Sequence, residues 1–132
     1  RLISLFLDPP STVVLAQKFT PIHVETLEAV YSFFTKTFSL ALKDQFLRIY
    51  HENQSMLPYN RSPEETARRS LTNFCLKWLV RSEDSSLHQV CFHHFNQADN
   101  MTDEFGAVEA MTYSDSIDRM NIFNQFYQKW KL

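Results

Sequence analysis

Residues 62–80, SPEETARRSLTNFCLKWLV, join a helix start to a helix that is apolar on more than one side. Ser62 can accept from the exposed backbone N–H groups, Pro63 fits the first turn, and Glu65 completes a capping box. Beyond them Ala67, Leu71, Phe74, Cys75 and Trp78 recur at three- and four-residue steps, and Leu76 and Val80 carry apolar surface most of the way round. A helix of that kind needs neighbours on both sides. The stretch therefore predicts a central helix packed between other helices.

The flanking sequence supplies those neighbours. Ser82 to Ser86 breaks the chain, and Leu87, Val90, Cys91, His94 and Ala98 line the next helix. Asn100 to Asp103 starts another, with Thr102 as N-cap and Asp103 and Glu104 in the first turn, where the helix dipole favours them. It buries Ala107, Val108 and Met111. Ser114-Asp115-Ser116 restarts the chain for a last helix carrying Met120, Phe123, Tyr127 and Trp130. Residues 62–131 thus read as four helices of roughly 11 to 18 residues with short polar turns, as expected of antiparallel helical neighbours.

Upstream, Leu27, Val30, Tyr31, Phe34, Phe38, Ala41, Leu42, Phe46 and Ile49 predict one long amphipathic helix over 22–53. Residues 54–61, with Pro58, form a loop. Residues 1–20 hold short helices: Leu2 to Leu7 is stopped by Asp8-Pro9-Pro10, Ser11 caps a second piece running to about Phe19, and Thr20-Pro21 breaks the chain again. The fold class is all-α: antiparallel helical hairpins forming an α-α superhelix of the ARM/HEAT-like solenoid type, one domain over 1–132. No sequence repeat marks the period.

Composition agrees. One Gly in 132 residues leaves little of the positive-φ chemistry that β-hairpins need. At 44% hydrophobic residues the chain can bury a core. The formal net charge of -2, without a block of like charges, excludes a nucleic-acid grip, and no apolar run approaches the ~20 residues of a membrane span. A start at Arg1 without Met, and an end at Leu132, read as a piece of a larger domain. Cys75 and Cys91 each lie in an apolar helical pattern, as buried free thiols of a reducing, cytoplasmic compartment.

Candidate chemistry is sparse. His51-Glu52 looks like the start of a zinc-peptidase H-E-x-x-H helix, but the fifth position is Ser55, so the pair reads as a solvated helix end. His88, Cys91 and His94, spaced by three, could all hold zinc, yet no second ligand cluster completes a tetrahedron; a core His94 with a hydrogen-bond partner is preferred, and His93 is solvated. Arg69 and Asn73, one turn apart, anchor a polar contact to the next helix. The acceptor triplets at Asn53, Asn60 and Asn100 carry little weight, and there is no nucleophile elbow or glycine-rich phosphate loop. No catalytic, cofactor-binding or metal-binding residue is assigned.

Four motifs, DQFLRIYHEN (44–53), RSLTNFCLKWL (69–79), NMTD (100–103) and FYQKW (126–130), follow in an order that resembles the C-terminal helical domain of bacterial-type aminopeptidase N zinc exopeptidases. Asp44, Phe46, Leu47, Tyr50 and Asn53 match that family's D-x-L/F-L-x-x-Y-x-x-N helix end. Arg69, Leu71, Asn73, Cys75, Leu76 and Leu79 match its R-x-L-x-N-x-C-L-x-x-L. Asn100, Met101, Thr102, Asp103, Ala107 and Ala110 fit its N-M/L-T-D start, and Tyr127, Lys129 and Trp130 its Y/F-x-K-W ending. Gly106 and Glu109 depart from the small apolar residues usual there. The resemblance implies a parent aminopeptidase with zinc and its catalytic glutamate in another domain, and this helical domain closing over the active site to limit entry to peptides. It implies no cofactor in these residues, partners in the parent's other domains and its peptide substrates, and further helical pairs beyond Leu132. The rival expectation is a free-standing α-solenoid adaptor whose concave face binds a peptide or protein.

Overall fold

The computed structural model describes residues 9–55 and 58–131. Among them every regular element is helical: α1 (Thr12–Ala16), α2 (Val24–Ala41), α3 (Lys43–Glu52), α4 (Pro63–Val80), α5 (Ser85–Gln97), α6 (Met101–Met111) and α7 (Arg119–Trp130). The expected turn at Leu2–Leu7 lies outside the described residues.

Helix α4 is the axis of the packing. It lies against α3 on one side and α6 on the other, with α2 and α5 also touching it, and α6 in turn packs on α5 and α7. Leu76, Trp78, Leu79 and Val80 are fully enclosed, so the two-sided apolar pattern of 62–80 has the neighbours it requires. The serine cap of α4 is as expected, the Ser62 hydroxyl accepting from the Glu65 N–H at 3.2 Å with Pro63 in the first turn, but the capping box does not close: the Ser62 N–H donates to Asn60 Oδ1 at 3.0 Å and the Glu65 carboxylate lies 3.8 Å from Arg68. An aromatic cluster joins α2, α3 and α4, in which Phe46 stacks on Trp78 at 5.9 Å and Phe38 meets Trp78 at 4.8 Å.

Three expectations are corrected. The stretch over 22–53 is two helices, broken at Leu42 (φ -110°, ψ 15°). The hydrogen-bond ladder bridges the break, Leu42 N–H to the Phe38 carbonyl at 3.1 Å and Phe46 N–H to the Leu42 carbonyl at 2.9 Å, so neither Pro nor Gly is needed there. The apolar stripe of α2 is only partly its buried face: Phe38 packs against the core beside the buried Thr35 and Ser39, while Val30 and Phe34 of the stripe face out. Small polar side chains let α2 approach α4 closely, and the Ser39 hydroxyl donates to the Trp78 carbonyl. On α7 the core residue is Ile122, whereas Met120, Tyr127 and Trp130 are exposed.

The helix ends carry smaller corrections. Asn100, not Thr102, caps α6, its side-chain oxygen accepting from the Asp103 N–H at 3.0 Å. Helix α7 begins at Arg119, later than Ser114–Ser116 would place it. Between α4 and α5 the chain turns at Glu83 in the left-handed region (φ 59°), and its carboxylate pairs with Lys36 of α2.

Candidate functional site

A polar cleft of about 570 Å³ opens where the C-terminal end of α3, the first turns of α4, the end of α5 and the start of α6 converge. Residues of three of the four motifs come together here. Arg69 reaches back from α4 to donate to the Asn60 carbonyl at 2.8 Å, and its guanidinium lies 4.7 Å from the Tyr59 ring centre. Asn73, one turn on, donates to Asp103 Oδ1 at 3.1 Å, and Asn100 donates to Asp103 Oδ2 at 2.8 Å. Asn53 closes its own helix by donating to the Ile49 carbonyl at 2.8 Å, and its carbonyl accepts from the Thr72 hydroxyl at 3.3 Å. Asn73 anchors an interhelical polar contact, as expected, to α6, whereas Arg69 turns back to the loop before its own helix.

Gly106 belongs to the same junction. A Cβ built there would lie 2.5 Å from Asn73 Cγ, closer than side-chain atoms approach. The Asn73 carboxamide therefore occupies the space that a side chain at position 106 would need.

The zinc-capable trio does not assemble. His88 Nε2 faces the Ser114 hydroxyl at 3.2 Å, the Cys91 thiol donates to the Ala107 carbonyl at 3.5 Å, and His94 Nδ1 faces the Tyr50 hydroxyl at 3.1 Å. Among the described residues no group of three ligating side chains converges. Burial holds the His94 pKa below its ordinary value and pushes the Tyr50 phenol up to about 12, so both members of the pair are neutral at neutral pH. His94 Nε2 and Asn73 Oδ1 are buried without partners.

His51 and Glu52 are exposed at the end of α3, with Glu52 4.0 Å from Arg48 one turn back. Cys75 and Cys91 are buried free thiols, each raised to about 12 by desolvation. Asp99 is held below the usual carboxylate range by the Asn100 amide and then by the Tyr59 N–H at 3.0 Å. The polar groups of the cleft are thus largely spent on one another. The arrangement locks the α3–α4 and α5–α6 hairpins together.

One buried group had no signal in the sequence. Glu104 of α6 is 1% exposed and accepts from Lys129 and, at 2.6 Å, from Trp130 Nε1 of α7. The FYQKW segment thereby fastens α7 onto α6. Within α6 an acidic first-turn residue reads as a dipole partner, and only the crossing of α7 turns it inward.

Comparison with known proteins places this geometry. A profile described as "Domain of unknown function (DUF3458_C) ARM repeats" matches residues 1–132. Aminopeptidase N of Haemophilus influenzae is 30% identical over 132 residues, which is 99% of this chain and 15% of that protein. Aminopeptidase N of Escherichia coli K12 is 29% identical over 121 residues, 92% of this chain and 14% of that protein. The chain therefore spans about 15% of the length of these relatives.

Proposed function

Because the chain belongs to the DUF3458_C ARM-repeat domain family, we propose that it acts as the non-catalytic C-terminal helical domain of a zinc-dependent aminopeptidase. That enzyme removes N-terminal amino acids from peptides in the cytoplasm. The observation that carries the reading is the similarity to aminopeptidase N along 99% of the chain.

The side chains described above support a scaffolding role within that enzyme. Asn73 and Asp103 join α4 to α6, Arg69 holds the loop before α4, and His88, Cys91 and His94 each face a separate partner. Packing against the other domains is supported by the outer face of α2, where Val30, Phe33 and Phe34 present apolar surface to solvent. A helical wall placed beside a catalytic domain restricts which peptides reach it. No described helix is long and apolar enough to cross a membrane.

The test is to capture the native protein from its source with antibody raised to this chain and assay it with alanyl and leucyl arylamides, with and without a zinc chelator. Chelator-sensitive release by a polypeptide much larger than 132 residues is the expected result. An inactive band at the size of the chain itself overturns the reading.

A further inference from the structure

We draw no further inference here: the strongest candidate, the exposed apolar face that Val30, Phe33 and Phe34 form on the outer side of α2, already supports the domain packing proposed above, and nothing among the described residues shows what covers it.

Discussion

Gly106→Ala tests the central junction. In an unobstructed helix interior this replacement stabilises by about 1 kcal/mol, because glycine costs more backbone entropy. Here the new Cβ would sit 2.5 Å from Asn73 Cγ and 2.6 Å from Asn73 Oδ1, so the carboxamide has to leave. Leaving breaks its 3.1 Å bond to the Asp103 carboxylate, a charge-assisted contact of the ~1.5–3 kcal/mol class. Both side chains are only partly buried, so water replaces part of that bond and the lower end applies. Crowding in a packed helix pair adds about 1–3 kcal/mol. Set against the propensity gain, the net destabilisation is about 2 kcal/mol. The assay is urea unfolding followed by circular dichroism for wild type, Gly106→Ala, Asn73→Ala and the double variant. With Asn73 truncated the space is open, and Gly106→Ala is expected to stabilise by about 1 kcal/mol, so its effect changes sign between the two backgrounds. The same effect in both backgrounds, or a stabilised single variant, refutes the reasoning.

Other consequences follow from individual groups. The His94 pKa is lowered by burial, so the unfolded chain takes up that proton first. The stability it contributes is full above its ordinary value of 6.5 and is lost as the pH falls from there toward the folded value, with a slope of at most ~1.4 kcal/mol per pH unit. His94→Phe is expected to flatten the unfolding free energy between about pH 6.5 and 5, and an unchanged slope would exclude His94 as its source. Glu104→Ala removes the acceptor for Lys129 and Trp130 and is expected to cost about 2–4 kcal/mol; hydrogen exchange at the α7 amides reads the loosening, and unchanged protection counts against the anchor. Cys75 and Cys91, buried and raised to about 12, are expected to react with a thiol reagent only as fast as the chain opens. Modification at the rate of a free peptide thiol would contradict their burial.

Local chemistry carried the helix α4 into the sequence reading intact: its Ser62 cap, its proline and its two-sided apolar surface are properties of adjacent residues. Helix α2 shows where that reasoning stops. Its apolar stripe has the correct period, yet only part of it is covered: Phe38 reaches Trp78 of α4, whereas Val30 and Phe34 stay exposed and the small Thr35 and Ser39 are buried instead. On α7, likewise, the stripe through Met120 and Tyr127 loses to Ile122. Periodicity says that a helix has an apolar face; which face is covered depends on the shape of the neighbour.

The same division holds for the polar groups. Arg69, Asn73, Asn100 and Asp103 stood out by type and spacing, yet their convergence on one cleft spans α4 and α6. The Tyr50–His94 pair bridges 44 positions and the Lys129–Glu104 pair 25, separations at which sequence has no local signal. By itself the sequence determined that the chain is helical, where most helices begin, that the thiols are buried and which family its motifs resemble, because helix periods, caps and turns are encoded within a few residues. The tertiary structure alone decided the kink at Leu42, the inward turn of Glu104 and the need for glycine at 106, because each depends on how close one helix comes to another.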